Sequence, residues 1–154
     1  MTNENYRAWD IDVQDFSKQK TLRDKFRFLT LFAILAPSSH NSQPWNFEIE
    51  DNTIHITRQI QRSLPISDAN HRQEFISIGC ALENLLVAAD YYGFDADLVY
   101  LPQGPMHAHA IDVTLKEKDN QEREVNHLIF SIPKRHTNRN LYNTRLPDAQ
   151  FLSW

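Results

Sequence analysis

One long helical segment constrains the fold of this chain more than any other feature. It runs from about Asn70 to Tyr92, and one of its faces is lined by apolar residues at helical spacing: Phe75, Ile78, Leu82, Leu85 and Ala89. Cys80 and Val87 extend the apolar surface beyond that face. A helix that is apolar over so much of its circumference lies at the centre of a fold or under a partner. Gly79 lowers helix stability by about 1 kcal/mol relative to alanine, so we expect close packing there.

A second helix is predicted before it, from about Asp15 to Leu35. Thr21 and Asp24 form a capping-box pattern, which marks a helix start or restart. Pro37 ends the helix near residue 36, because the residue before a proline is disfavoured in helical conformation.

Four strands are predicted around these helices. Alternating apolar and polar residues indicate a hairpin over residues 45–58 and two strands at about 96–101 and 109–117. An apolar stretch follows at 128–132, and residues 146–152 have the pattern of a helix start. This order of elements is typical of an α+β fold, with an antiparallel sheet flanked by helices.

Composition excludes several classes of function. The 154 residues carry 16 basic and 20 acidic side chains, a net charge of −4, which disfavours a nucleic-acid binder. No apolar run approaches the roughly 20 residues of a membrane span, so no membrane interaction is expected. The polar first residues are unlike a secretory signal, so a cytoplasmic location is expected. The three glycines form no glycine-rich phosphate loop, and the single cysteine excludes an internal disulfide.

A polar loop, PSSHNSQPW, joins the first helix to the hairpin at residues 37–45. Its hydroxyls and amides donate and accept hydrogen bonds without adding charge. Such groups suit the polar edge of a heteroaromatic ring. Asx-type turns and a helix cap also account for these residues, and from the residues alone that structural interpretation is the favoured one.

A basic segment, KRHTNRN, follows Pro133 near the end of the chain. Arg135 and Arg139 supply planar sets of donors that match phosphate oxygens, and Thr137 adds a neutral donor. A solvated basic surface is the alternative interpretation.

The loop PSSHNSQPW, followed by the helix ISIGCALENLLVAADYYG, resembles the nitroreductase family of FMN-dependent oxidoreductases. The resemblance covers residues 37–93. It implies a nitroreductase-like fold, FMN as cofactor, and a flavoprotein that uses NAD(P)H to reduce a small nitro-aromatic or quinone-like acceptor. It also implies that the long helix faces the partner of a dimer.

The order of the motifs resembles the Acg-like subfamily, in which two such units are fused in one chain. In ordinary members a phosphate-binding loop precedes the PSSHN-type loop, whereas here the basic segment follows it. The resemblance implies that residues 1–132 form a first unit and that residues 133–154 begin a second, truncated unit. The fold would then be incomplete, and the partner would be a second copy of the chain or the missing second half.

The resemblance also implies roles for individual residues. The isoalloxazine and ribityl parts of FMN would be contacted by the loop residues Pro37, Ser38, Ser39, Asn41 and Gln43. The phosphate would be contacted by the basic segment, at Arg135, His136, Thr137 and Arg139. No catalytic acid, base or nucleophile is expected, because the flavin itself carries the redox chemistry. Two alternatives are a flavin-storing module without turnover and a structural, dimerising α+β domain.

Three further features are interpreted as structural. His107 and His109 form a His-x-His pair without a third ligand at useful spacing, so no metal site is expected. Cys80 is expected to be a buried, inert thiol. Arg62, Asp68 and Arg72 are expected to form a loop ion pair.

Overall fold

A computed structural model describes residues 8–119, 127–138 and 140–141. Its regular elements are α1 (Leu22–Ala33), β1 (Trp45–Glu50), β2 (Thr53–Arg58), α2 (Arg72–Tyr92), β3 (Phe94–Tyr100) and β4 (His109–Glu117). The strands form one antiparallel sheet in the order β1-β2-β4-β3, and both helices pack on one of its faces. The predicted α+β fold is therefore confirmed.

The first predicted helix is split in two. A 3₁₀ helix at Val13–Lys18 precedes α1, and the break falls where the capping box was predicted. The Thr21 hydroxyl accepts the Asp24 backbone N–H at 3.1 Å, and the Asp24 carboxylate accepts the Thr21 N–H at 3.4 Å. The box therefore marks a restart of the helix, because its hydrogen bonds satisfy backbone donors at the new N-terminus.

The sheet has one apolar and one polar face. Phe47 pairs with Ile56 and Ile49 with Ile54 across the β1–β2 hairpin, and both isoleucines of β2 are fully buried. The intervening residues of these strands are polar and point away from the helices. The side of the sheet opposite the helices is therefore a polar surface.

The central helix α2 packs against α1 and the sheet. Ile78 and Leu85 are buried in the core, and the Asn84 amide donates to the Phe32 carbonyl of α1 at 3.1 Å. Gly93 ends the helix in left-handed conformation with φ 90°. Leu85 is thus buried as predicted, because the apolar face of a helix packs on the core. Gly93 ends the helix as predicted, because glycine is favoured in this left-handed conformation.

Residues 128–132 form neither a strand nor a long helix. They lie in and next to a 3₁₀ helix at His127–Ser131, which buries Ile129 against α2. The predicted helix start at 146–152 lies outside the described residues. Within the described part of the chain, no helix has the length and apolarity needed to cross a membrane.

Candidate functional site

The loop between α1 and β1 has an unusual backbone. His40, Asn41 and Gln43 have φ values of 52°, 54° and 50°, in the left-handed region that residues with a side chain rarely adopt. Such residues store strain of about 1–3 kcal/mol each. The turn is held by backbone bonds, and the Ser38 hydroxyl accepts the Gln43 N–H at 2.9 Å. Three strained residues in one short loop are typical of a binding segment, where the surrounding structure enforces the conformation.

The loop rests on the N-terminal end of α2. The Ser39 hydroxyl donates to the Gln73 side-chain oxygen at 2.5 Å, and Arg62 donates to the Gln43 carbonyl at 3.2 Å. Beneath the loop is a cavity of about 10 Å³, lined in part by Ser42 and Ser77, which is room for one water at most. The loop is therefore fixed from below, and any larger ligand has to bind from its outer side.

A buried carboxylate supports this part of the structure. Glu74 has 2% of its side chain exposed and accepts hydrogen bonds from Arg58, Ser63 and His71 at 2.8–3.3 Å. Burial alone would raise the pKa of Glu74, but these hydrogen bonds outweigh it and lower the pKa below its usual range. Glu74 was not among the predicted site residues, since nothing in the local pattern distinguishes it from an exposed helix residue.

Asp68 caps α2 instead of forming an ion pair. Its carboxylate accepts the backbone N–H groups of Gln73 and Glu74 at 3.0 and 2.8 Å. Burial opposes its ionisation, but the backbone donors prevail and the pKa of Asp68 is lowered. The predicted ion pair with Arg62 or Arg72 is thus wrong: no such pair occurs among the described residues, because the free N–H groups of the helix start already use both carboxylate oxygens.

The basic segment reaches back to the start of the loop. Arg135 donates from one terminal nitrogen to the Leu35 carbonyl at 3.3 Å, two residues before Pro37, and from the other to the Thr137 hydroxyl at 3.4 Å. Its guanidinium also lies over the Trp9 ring, 5.7 Å from the centroid. The structure therefore places the Arg135 side chain beside the polar loop in the same chain.

Several of the predicted contact groups remain available for a ligand. The Nε donor of Arg135 has no hydrogen-bond partner but is buried, so it is not among them. The side-chain amides of Asn41 and Gln43 make no hydrogen bond within the described part of the chain. Pro37, Asn41, His136 and Thr137 are exposed, whereas Ser38, Ser39 and Gln43 are partly buried. Arg139 lies outside the described residues.

These groups fit the chemistry of FMN. The loop presents neutral hydroxyls and amides, which suit a ring with alternating donors and acceptors. The Arg135 guanidinium, together with the exposed His136 imidazole and Thr137 hydroxyl, has the chemistry that suits a phosphate.

An open apolar cavity lies along the outer side of α2. Its volume is about 400 Å³, and it is lined by Phe75, Gly79, Tyr100 and neighbouring side chains of β3 and β4. Tyr100 is 62% exposed, and Ile76, the residue next to Phe75 on the helix, is 50% exposed. Apart from the two adjacent residues and the backbone of the helix itself, no described atom lies within 4 Å of a Cβ placed on Gly79. The expected close packing at Gly79 is therefore not made among the described residues, because open space adjoins the glycine there.

The remaining singled-out residues lie elsewhere. Cys80 is a partly buried free thiol on α2, less enclosed than expected. His107 is exposed in the β3–β4 connection, whereas His109 lies at the start of β4 on the polar face of the sheet.

Parts of the chain are similar to proteins of Mycobacterium tuberculosis. An uncharacterized protein is 36% identical over 77 residues, which are 47% of this chain and 22% of that protein. A protein named "Putative NAD(P)H nitroreductase" is 26% identical over 117 residues, 76% of this chain and 34% of that protein. Another with that description, named acg, is 32% identical over 91 residues, 58% of this chain and 28% of that protein. The chain therefore matches only a minor part of these relatives' length, and no family model matches it.

The fold is similar to that of a solved structure from Clostridium acetobutylicum named "Putative NADH Oxidase". The TM-score is 0.53 at 17% sequence identity, and the match covers 76% of this chain and 89% of that one. At this identity the likeness shows the fold alone, and it agrees with the antiparallel sheet and helices described above.

Proposed function

We propose that this chain is the N-terminal part of an FMN-dependent NAD(P)H oxidoreductase of the nitroreductase type, related to the Acg-like proteins with two fused units. The names of the relatives in Mycobacterium tuberculosis support an oxidoreductase that uses NAD(P)H. Bound FMN would supply the redox step, accepting hydride from NAD(P)H and passing electrons to a small nitro-aromatic or quinone-like acceptor.

One observation carries the proposal: the Arg135 side chain donates to the Leu35 carbonyl, near the end of α1 and two residues before the polar loop. Arg135, one of the residues predicted for the phosphate, thus lies close to the segment predicted for the ring, which supports a single site for FMN. In the proposed complex, Arg135, His136, Thr137 and Arg139 hold the phosphate. The isoalloxazine and ribityl groups are held by Pro37, Ser38, Ser39, Asn41 and Gln43.

We further propose that another unit covers the apolar side of α2. The open cavity at Phe75, Gly79 and Tyr100 provides the surface, and the short match to the relatives' length is consistent with a missing second half. A second copy of this chain would serve the same purpose as a homodimer. Residues 1–132 would then be the first unit, and residues 133–154 the start of the second.

The experiment is an FMN titration of the untagged chain, followed by flavin fluorescence and visible absorbance. Arg135→Ala is expected to weaken FMN binding by about 1.5–3 kcal/mol, or roughly 10- to 150-fold, the usual contribution of a charged hydrogen bond. Arg135→Lys retains the charge but loses the planar donors, so an intermediate affinity is expected. Arg23→Ala removes an equal charge at an exposed position of α1 and serves as the matched control. Equal affinity of Arg135→Ala and the wild type would remove Arg135 from the site.

Anaerobic addition of NADH or NADPH separates the proposed enzyme from its alternatives. Bleaching of the bound flavin band supports the oxidoreductase. A band that persists supports a flavin-storing module, whose pocket admits no second substrate. Absence of any FMN binding leaves the structural, dimerising domain as the better account.

A further inference from the structure

Three metal-ligating side chains converge on the polar face of the sheet, and none of them belongs to the proposed flavin site. They are His55 in β2, and His109 and Asp112 in β4. His55 Nδ1 lies 2.5 Å from Asp112 Oδ1, and His109 Nε2 lies 2.6 Å from the same oxygen. One ligand atom from each residue lies within 4.8 Å of the other two. Two imidazoles and a carboxylate thus meet at one point.

A bulge in β4 creates this convergence. In a regular strand, residues 109 and 112 would point to opposite faces, because side chains alternate with a period of two. Between β2 and β4 the register shifts: Ile56 pairs with Ile111, but Thr57 pairs with His109, so Ala110 is an extra residue. Ala110 and Ile111 are consecutive buried residues, and His109 is turned to the face of Asp112. Bulges commonly redirect a side chain in this way beside a functional site.

The burial and charge of the cluster suit a cation. The side chains of His55, His109 and Asp112 are 22%, 21% and 22% exposed, so solvent reaches the site but two strands hold its groups in place. The Asp112 carboxylate lies between the two imidazoles and offers the oxygen ligand of the cluster.

His55 also has an outer partner. Its Nε2 lies 3.7 Å from a carboxylate oxygen of Glu50, while its Nδ1 points at Asp112. In protein metal sites, the ring nitrogen that does not bind the ion is commonly turned to a carboxylate, which fixes the ring orientation. The Glu50 carboxylate faces the His55 nitrogen that points away from Asp112, as such an orienting carboxylate does.

We propose that His55, His109 and Asp112 bind a divalent transition-metal ion such as Zn²⁺, with water completing its coordination. Two imidazole nitrogens and one carboxylate oxygen are a known ligand set for zinc sites that keep an open position. The ion links β2 to β4 at the bulge and replaces the present hydrogen bonds among the three side chains. His107, the other histidine of the His-x-His pair, is not a ligand. His55 of β2 supplies a ligand that the local sequence spacing did not offer. This inference does not depend on flavin binding.

The test is a Zn²⁺ titration of the untagged, metal-stripped chain by calorimetry, with Co²⁺ absorption as a spectroscopic readout. One ion per chain is expected, together with ligand-field bands of Co²⁺ at a site that contains nitrogen ligands. His55→Gln, His109→Gln and Asp112→Asn should each weaken binding by more than about tenfold. His107→Ala removes an exposed histidine two residues from the site and should bind like the wild type.

Folding of each variant is checked without metal by circular dichroism and thermal unfolding. With metal, the wild type should gain in Tm, and Asp112→Asn should gain less at the same metal concentration. The proposal is overturned if the folded wild type binds no Zn²⁺ at stoichiometric concentration. It is equally overturned if Asp112→Asn binds as tightly as the wild type, or if His107→Ala loses as much affinity as His109→Gln.

Discussion

Glu74 offers the sharpest test of how the candidate site is held in place. Its side chain is 2% exposed and that of its partner Arg58 is 8% exposed, so the pair is removed from water. Removing one member of a buried ion pair leaves the other charge unpaired and costs about 3–5 kcal/mol. Ser63 and His71 would lose their acceptor as well. Glu74→Ala is therefore expected to lower the free energy of unfolding by about 3–5 kcal/mol, a large part of the roughly 5–15 kcal/mol of a typical domain.

Urea denaturation followed by circular dichroism measures this loss. Glu74→Gln keeps the shape and two acceptor lone pairs, so a smaller loss is expected. Glu83→Ala removes an exposed glutamate of the same helix and is the matched control, with a change within about 0.5 kcal/mol. A loss below about 1 kcal/mol for Glu74→Ala would refute the reasoning, because it would mean that Arg58 finds water or another partner.

The pH dependence of the same variants checks the sign of the effect. The pKa of Glu74 is lower in the folded chain than its ordinary value. Its contribution to stability is therefore complete above the pKa of the unfolded chain, about 4.3, and is lost as the pH falls through the folded pKa. The difference in stability between wild type and Glu74→Gln should thus be constant near neutral pH and shrink in acid. A difference that grows on acidification would contradict this assignment.

Two further substitutions test contacts at the two ends of α2. Asp68→Ala removes the side-chain cap of α2 and should cost about 0.5–2 kcal/mol, read as a lower Tm; Asp68→Asn, which retains a capping oxygen, should lose less. Tyr92→Phe removes the hydroxyl that donates to the Val13 carbonyl at 2.8 Å but keeps the ring stacked on Phe16. It should cost about 0.5–1.5 kcal/mol in urea denaturation, and an unchanged midpoint would show that this hydrogen bond contributes nothing net.

The regular elements were predictable because local patterns specify them. The hairpin follows from alternation with a period of two, and α2 from apolar residues at helical spacing that end at Gly93. The capping box at Thr21 also acts as predicted, since its hydrogen bonds are made within one turn. The 3₁₀ helix at His127–Ser131 was not predicted, because a short apolar run has no period that distinguishes its conformation.

The candidate flavin site was predictable only as two separate segments. The loop at Pro37 and the basic residues at Arg135 were singled out by residue type and by family resemblance. Their roles toward FMN remain predictions. That Arg135 reaches the Leu35 carbonyl is a contact across 100 residues of chain, which no local pattern specifies.

What the sequence determined by itself is thus the set of elements, the polarity of their faces and the chemical character of two segments. These follow from short-range physics, namely periodicity, capping and the conformational limits of proline and glycine. Only the tertiary structure decided which distant polar groups meet. Strand pairing and one bulge brought His55 to His109, and the packing of α2 buried Glu74 beside Arg58. Such encounters depend on register and burial, and these are set by the whole fold.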